Sequence, residues 1–275
     1  MSLLADKVAI ITGGGRGIGA AAARLFAAHG ARVMVSDLDI EPAQAVVDSI
    51  ESEGGAALAL AGDVTSPEFP QQLIAATLER FGTLDIIVNN AGYTWDGVLH
   101  TMSDEQWEAM LMVHATAPFR IIRAAAPFLR DTAKREQAEL GRAKARKIIN
   151  VSSVSGVYGN AGLGRGVVDL AGVVGLTKTV AKEWGRFNVQ SNAVCYGFIS
   201  TRLTGDKAAG ETIERDGRQI ALGIPDHLIS GLPMLHPMGR AGTPEEAAGP
   251  MVFLASDLAN YVNGEILEVN GGFVM

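Results

Sequence analysis

Short, continuous runs of apolar residues alternate along the chain with longer segments in which apolar residues recur at helical spacing. The first run, Val8–Thr12, is followed by glycines and then by a helical pattern over 20–30. Further runs of this kind cover 31–37, 57–63, 84–92, 147–153, 188–197 and 264–272. Strands that are apolar at nearly every position are typical of a parallel sheet covered by helices on both faces. The pattern predicts an α/β fold, a single doubly wound Rossmann-type domain with a seven-stranded parallel sheet.

Two segments interrupt this alternation. Residues 131–147 are charged and amphipathic, and we expect them to form an exposed extension after a long helix. Residues 204–238 follow the sixth predicted strand, and an insertion at the carboxyl end of a late strand commonly covers the ligand crevice. We interpret this segment as a substrate lid, with a packing or subunit-contact insert as the alternative. The sequence contains neither a linker nor a repeat, so residues 1–275 are predicted to form one domain.

Composition narrows the classes of function. The formal net charge of −7 disfavours affinity for nucleic acid or for an anionic membrane. The sequence lacks an uninterrupted apolar stretch of about 18 residues, so a membrane span is not expected. The single cysteine, Cys195, excludes an intramolecular disulfide and fits a reducing compartment, so a cytoplasmic protein is predicted. No metal site is predicted.

A glycine-rich segment after the first predicted strand indicates a dinucleotide site. Its sequence over 12–19 is TGGGRGIG, and its candidate cofactor-binding residues are Thr12, Gly13, Arg16, Gly17, Ile18 and Gly19. The glycines allow a tight turn and let backbone N–H groups at the start of a helix meet a pyrophosphate.

An acidic residue lies at the distance that such a site requires. Asp37 ends the second predicted strand, 18 residues after Gly19, where a carboxylate accepts hydrogen bonds from the ribose hydroxyls. The same carboxylate repels a 2′-phosphate and is followed by Leu38 and Asp39 rather than by arginine, which favours NAD(H) over NADP(H). Arg16 is the one feature of the loop that favours the 2′-phosphate, and the alternative role for Asp37 is to cap a strand end.

These motifs, with others further along, resemble those of the short-chain dehydrogenase/reductase family. The resemblance covers nearly the whole chain and continues through Asp63-Val64, Asn89-Asn90-Ala91-Gly92, the run NVSS over 150–153 and the run VNGG over 269–272. It implies that Asp63 and Val64 contact the adenine and that Asn90, Ala91 and Gly92 shape the nicotinamide side. The segments WGRFNVQSNAV and GFISTRL resemble bacterial 3-oxoacyl-acyl-carrier-protein reductase-like members. A small-molecule or acyl-type ligand and a homo-oligomer, dimer or tetramer, are implied with them.

The resemblance also implies where the catalyst should lie. Members of the family transfer hydride between a nicotinamide and a carbonyl or alcohol carbon, with a tyrosine as proton donor and a lysine four residues later on the same helix face. A serine at the end of the fifth strand and an asparagine in the preceding long helix assist them. Ser153 matches the serine, whereas Gly166, Leu170 and His114 stand at the positions of the tyrosine, the lysine and the asparagine.

These replacements predict that ordinary carbonyl reduction is lost or strongly impaired. Glycine has no proton to donate and leucine has no charge, while general acid–base catalysis contributes on the order of 10² to 10⁴ in rate. His114 can still relay a proton through its imidazole, or it is a packed polar group. Tyr196 is a weaker catalytic candidate near the expected nicotinamide. Tyr158 is expected to wall the substrate pocket, and Cys195 to be a small buried hydrophobe.

Three functions therefore remain open from the sequence. In the first case, the chain binds NAD(H) without ordinary turnover and acts through a ligand or an oligomer partner. Alternatively, it is an enzyme with slow hydride transfer or non-redox chemistry in the same pocket. In the third case it is a degenerate copy of an acyl reductase.

Overall fold

In the computed structural model of the chain, the described residues are 2–95, 97–159, 164–215, 217–224, 229–231, 234 and 236–274, without the side chains of 164–170. Seven strands form one parallel sheet in the order β3-β2-β1-β4-β5-β6-β9. They are β1 Val8–Thr12, β2 Arg32–Asp37, β3 Ala56–Ala61, β4 Ile86–Asn89, β5 Arg146–Ser153, β6 Val189–Tyr196 and β9 Ile266–Val269. The predicted seven-stranded parallel sheet is confirmed.

Helices cover both faces of this sheet. They are α1 Gly17–Ala28, α2 Ile40–Ser52, α3 Phe69–Phe81, α4 Asp104–Leu111, α5 Ala117–Leu140, α6 Ser155–Tyr158, α7 Gly164–Trp184 and α8 Pro244–Ala255. One core joins α1, α2 and α8 to the sheet, and a second core joins α3, α4, α5 and α7 to its other face. None of the helices in the described part of the chain is long and apolar enough to span a membrane.

The central strand shows why its apolar run is continuous. Ala9 and Ile11 point into the first core and Val8 and Ile10 into the second, and all four are fully buried. Strand β1 pairs with β2 on one side and with β4 on the other. The sheet order therefore reverses at β1, and ligands of doubly wound sheets bind in the crevice beyond such a reversal.

The segment 204–238 contains an antiparallel hairpin that periodicity did not predict. Strands β7 Thr212–Arg215 and β8 Arg218–Ala221 pair with each other and not with the main sheet. Ile213 and Ile220 alternate with polar residues and are buried with Leu222 in a small core of their own. Alternation over four residues is a weak sequence pattern, so these two strands were not predicted.

The prediction of an exposed extension over 131–147 is confirmed only in part, because most of these residues are exposed but the segment is neither separate from the long helix nor exposed throughout. Helix α5 continues to Leu140, and Arg146 at the start of β5 is only 2% exposed. Its guanidinium donates two hydrogen bonds to the carboxylate of Glu136, at 2.9 and 2.7 Å. These bonds hold the pKa of Glu136 below its usual value. The charged pattern thus contains an ion pair that fastens α5 to the sheet.

Candidate cofactor and catalytic site

A cavity of about 330 Å³ lies at the carboxyl ends of the strands, beyond the reversal at β1. The glycine-rich loop after β1 forms one wall, and the ends of β2 to β5 form its floor. The turn between α4 and α5 and the hairpin β7–β8 form the remaining walls. Every predicted cofactor-binding residue except Thr12 lines this cavity.

The glycines of the loop are required by its geometry. Gly13 and Gly17 have φ of 61° and 50°, in the left-handed region that favours glycine. A Cβ added at Gly19 would lie 2.0 Å from the carbonyl oxygen of Gly13, so the loop and the start of α1 approach too closely for any side chain. The first residues of α1, Gly17 to Gly19, line the cavity, and the backbone N–H groups of a helix N-terminus are suited to bind an anion.

Thr12 supports the loop from beneath. Its buried hydroxyl accepts hydrogen bonds from the backbone N–H groups of Asn90 and Ala91, both at 3.0 Å. In return, the side-chain amide nitrogen of Asn90 donates hydrogen bonds to the backbone carbonyl oxygens of Thr12 and Gly13, at 2.9 and 3.1 Å. The glycine-rich loop and the segment expected to shape the nicotinamide side are therefore joined by hydrogen bonds.

The carboxylate of Asp37 lies at the edge of the cavity, where β2 ends. Its side chain is 11% exposed, and its Oδ2 accepts a hydrogen bond from the N–H of Gly15 at 2.9 Å. A Cβ at Gly15 would come within 2.9 Å of the same oxygen. Gly15 therefore holds Asp37 in place, and the carboxylate keeps acceptor capacity toward the cavity.

Arg16 is engaged with two carboxylates. Its Nη1 lies 3.0 Å from Oδ2 of Asp39 and 3.7 Å from Oδ1 of Asp37. Its side chain is 41% exposed, so each pair contributes little to stability. The local charge around this guanidinium is nevertheless negative, which matters for the choice between the two nicotinamide cofactors.

The residues after β3 complete the same end of the cavity. Asp63 accepts hydrogen bonds from the backbone N–H and hydroxyl of Thr65, at 2.8 and 2.7 Å, and this closes a turn. Val64 is 9% exposed and offers an apolar surface. Ile18 lines the cavity from the first turn of α1.

His114 lies in a π-helical turn, Met112–Thr116, between α4 and α5. Such turns widen the helix by one residue and are frequent at functional sites. A Cβ at Gly92 would lie 2.7 Å from Nε2 of His114, so the imidazole packs directly against the backbone of the predicted nicotinamide side. His114, Gly92 and Ser152 line the cavity together.

The serine that lines the cavity is Ser152, one residue before the predicted Ser153. Ser153 is half-buried and accepts a hydrogen bond from the N–H of Ser155 at 3.2 Å. Ser153 is not among the described residues that line the cavity. Successive strand residues point to opposite faces, so the two serines of the NVSS motif do not share one environment. The sequence match alone does not distinguish them.

Two tyrosines lie away from the cavity. Tyr196 is 4% exposed in the core beneath α8, and its hydroxyl donates to the carbonyl oxygen of Ala247 at 2.5 Å. Tyr196 is not among the described residues that line the cavity, and burial raises its pKa. Tyr158 was expected to wall the pocket, but it is 50% exposed and donates to Oε1 of Glu268 at 2.8 Å. Cys195, as expected, is fully buried, and burial raises the pKa of its thiol.

Gly166 and Leu170 fall in the first turns of α7. They are four residues apart and so share one face of the helix. Their side chains, and residues 160–163 just before α7, lie outside the described part of the chain.

Sequence analysis missed several lining residues of the second half of the cavity. Tyr93 and Thr94 directly follow the NNAG motif, and the others come from after β6 and from the hairpin: Thr201, Arg202, Leu203, Ile213 and Arg215. Proximity to a motif was a usable indication for the first two. The hairpin residues lie in the segment interpreted as a substrate lid, but the sequence does not indicate which residues of that segment line the cavity.

A parallel sheet whose order reverses beside a glycine-rich loop, with a carboxylate at the end of β2, defines a dinucleotide-binding α/β protein. Residues 13–274 match the sequence profile described as enoyl-(acyl carrier protein) reductase. The chain belongs to the short-chain dehydrogenase/reductase family.

Curated relatives align over almost the full chain. The 3-oxoacyl-[acyl-carrier-protein] reductase FabG of Thermotoga maritima is 34% identical over 272 residues, 99% of each chain. That of Vibrio cholerae is 38% identical over 272 residues, again 99% of each. The corresponding reductase of a Synechocystis species is 36% identical over an alignment of 279 residues that covers the whole of both chains. The chain is thus an oxidoreductase of the short-chain dehydrogenase/reductase family, related to 3-oxoacyl-acyl-carrier-protein reductases.

Proposed function

We propose that this protein binds NAD(H) in the cavity at the reversal of the sheet. The observation that carries the proposal is the Asp37 carboxylate, fixed by the Gly15 N–H at 2.9 Å and directed to the cavity edge. The glycine-rich loop would hold the pyrophosphate, and Asp63 and Val64 the adenine. Asn90, Ala91 and Gly92 would flank the nicotinamide.

NAD(H) is favoured over NADP(H) by the charges around Asp37. A 2′-phosphate would carry up to two negative charges to within reach of this carboxylate. Arg16, the loop residue suited to receive it, is already paired with Asp39 at 3.0 Å. Binding the phosphate would therefore require Arg16 to leave its partner and Asp37 to accept a repulsive neighbour.

We further propose that ordinary carbonyl reduction is lost or strongly impaired. A bound nicotinamide supplies or accepts the hydride, but the alkoxide that forms also needs a proton. Gly166 has no side chain that donates one, and Leu170 has no charge that would lower the pKa of a donor. The backbone frame of α7 is retained while its catalytic side chains are replaced.

Slow turnover through His114 is the second candidate function. His114 lines the same cavity as Ser152, and its ring packs against Gly92 on the nicotinamide side. In its protonated form the imidazole would donate a proton to a developing alkoxide, and Ser152 would hydrogen-bond the same oxygen.

The proposal extends to a homo-oligomer, dimer or tetramer, and to an acyl-type ligand, the class stated in the names of the relatives.

Calorimetric titration with NADH and with NADPH tests the cofactor proposal. We expect NADH to bind at least about 10-fold more tightly, the size of one charge-assisted hydrogen bond gained or lost. Asp37→Asn should remove most of this preference. Asp48→Asn is the matched control, because Asp48 is exposed on α2, accepts its hydrogen bond from Gln44 and is not among the described residues that line the cavity. Equal or tighter binding of NADPH by the unmodified protein would contradict the proposal.

A further inference from the structure

The two ends of the cavity carry opposite charges. Asp37 and Asp63 are the only carboxylates among the described lining residues, and both lie at the end formed by β2 and β3. The other end is lined by His114, Ser152 and the segments after β6. The guanidinium group of Arg215 lines the cavity there, whereas Arg202, which also lines the cavity, follows Thr201, whose side chain lies beside Gly17 of the glycine-rich loop. That end is positive although the chain as a whole carries a formal net charge of −7.

The hairpin holds Arg215 in a defined position. Arg215 is the last residue of β7 and lies opposite Arg218 in the hairpin register. Two residues earlier, Ile213 is 8% exposed and packs with Ile220 against the aromatic rings that follow β4. The hairpin is joined to the segment after β6 by the hydrogen bond from the N–H of Ile224 to the carbonyl oxygen of Gly205, at 2.9 Å.

The two arginines of the hairpin have different surroundings. The guanidinium of Arg218 lies 2.8 Å from a carboxylate oxygen of Glu105 and 5.9 Å from the centre of the Trp95 ring, outside the described lining of the cavity. The guanidinium of Arg215 lies over the ring of Tyr93, 5.3 Å from its centre, and lines the cavity. Within the described part of the chain, no carboxylate lies at ion-pair distance from Arg215.

We propose that Arg215 binds an anionic group, a carboxylate or a phosphate, of the ligand that occupies this end of the cavity. The inference rests on the proposed function, because NAD(H) is assigned to the other end. It adds the chemical class of the substrate or ligand, which is an anion.

The chemistry of the guanidinium supports this assignment. One of its donors is used by the carbonyl oxygen of Glu214 at 2.9 Å, and the planar group has five donors in all. Its remaining donors match the paired oxygens of a carboxylate or phosphate. Stacking on Tyr93 limits the orientations of the side chain and so reduces the entropy lost when an anion binds.

The test compares ketone probes that differ in charge. Acetoacetate is paired with its neutral methyl ester, and dihydroxyacetone phosphate with neutral dihydroxyacetone. Each is titrated by ligand-observed NMR at one ionic strength, with and without saturating NADH. The variants are Arg215→Met, Arg215→Lys and the matched control Arg218→Met on the opposite strand of the hairpin.

We expect at least one anion to bind about 10-fold more tightly than its neutral partner. Arg215→Met should abolish this preference, Arg215→Lys should retain part of it as a point charge, and Arg218→Met should leave it unchanged. The pair that shows the preference identifies a carboxylate or a phosphate as the anion. No preference in the unmodified protein, or a preference that survives in both Arg215 variants, would overturn the inference.

NADH titration of the same variants separates this inference from the proposed function. If Arg215→Met weakens NADH binding as much as it weakens anion binding, Arg215 belongs to the cofactor site and the inference fails while the proposed function stands. If the unmodified protein binds no NADH, the proposed function fails. The anion preference measured on the free protein then decides the present inference on its own.

Discussion

The two ends of the cavity differ in how the sequence builds them. The end to which we assign NAD(H) comes from a few compact motifs around the glycine-rich loop, Asp37 and Asp63, and both of these carboxylates accept hydrogen bonds from the backbone. The opposite end is assembled from the π-helical turn, the end of β5, the segment after β6 and the hairpin. At this end Gly166 and Leu170 stand at the positions that the family resemblance assigns to the catalytic tyrosine and lysine.

This difference follows from what each end requires of the chain. The first end depends on backbone atoms and on the absence of side chains, so a replacement there disturbs the loop itself. The second end depends on the chemical groups of its side chains. Gly166 and Leu170 lie in an intact α7, which shows that the helix does not need a tyrosine and a lysine in order to form. Chemistry can therefore be lost at this end while the fold is kept.

The largest effect is expected from introducing the tyrosine and lysine that the family resemblance places at residues 166 and 170. The double substitution Gly166→Tyr with Leu170→Lys places a phenol and an ammonium on one helix face, one turn apart. We expect the rate of NADH-dependent reduction of a ketone such as acetoacetate to rise by on the order of 10² or more, the usual contribution of general acid–base catalysis. Absorbance of NADH measures the rate.

Leu170→Lys alone is the matched control for this experiment. It adds the charge without the proton donor, so its rate should stay near that of the unmodified protein. A folded, NADH-binding double variant that remains inert would contradict the view that only the catalyst is missing. It would favour a pocket rebuilt for different chemistry.

The next effect in size concerns the loop end. Gly19→Ala would place a Cβ 2.0 Å from the carbonyl oxygen of Gly13 and 2.5 Å from Nδ2 of Asn90, so the loop must shift. Overpacking of this kind costs about 1–3 kcal/mol of stability, and the displaced N–H groups should weaken NADH binding by more than about 10-fold. Thermal unfolding and calorimetric titration measure the two effects.

Gly249→Ala is the control for that substitution. Gly249 is exposed in α8, and a Cβ there would meet no atom within 4 Å. Alanine in a helix interior is favoured over glycine by about 0.5–1 kcal/mol, so this variant should be slightly more stable and bind NADH normally. Equal losses in both variants would show that the close approach at Gly19 is not the cause.

Sequence reasoning predicted the sheet and the loop end of the site because both follow local rules. Continuous apolar strands and a glycine run before a helix are patterns within a few residues of one another. The structure confirms the seven parallel strands and brings the predicted loop residues to one cavity. The bounds of β1 are as predicted and those of the other strands differ by up to three residues, for example at β4, predicted over 84–92 and found at Ile86–Asn89.

The opposite end depended on information that is not local. The role of Arg215 follows from the packing of a short hairpin against Tyr93, and the choice between Ser152 and Ser153 from the face on which each points. The buried pair of Glu136 with Arg146 was likewise hidden in a segment whose composition indicates solvent exposure. Long-range contacts decide each of these cases.

The smallest effect is expected from Tyr158→Phe, which tests whether this tyrosine replaces the missing one. Its hydrogen bond to Glu268 raises its pKa, the opposite of what a lysine does to the family's tyrosine. Because the raised pKa keeps the phenol protonated, any stability from this bond is present below about pH 10 and is lost as the pH rises through the folded pKa. The variant should bind NADH normally and change any residual ketone reduction by less than about 2-fold, since Tyr158 does not line the cavity. A large loss of residual turnover would show that Tyr158 takes part in the reaction. It would contradict the view that the proton donor is lost at one end of the cavity while the glycine-rich loop is kept at the other.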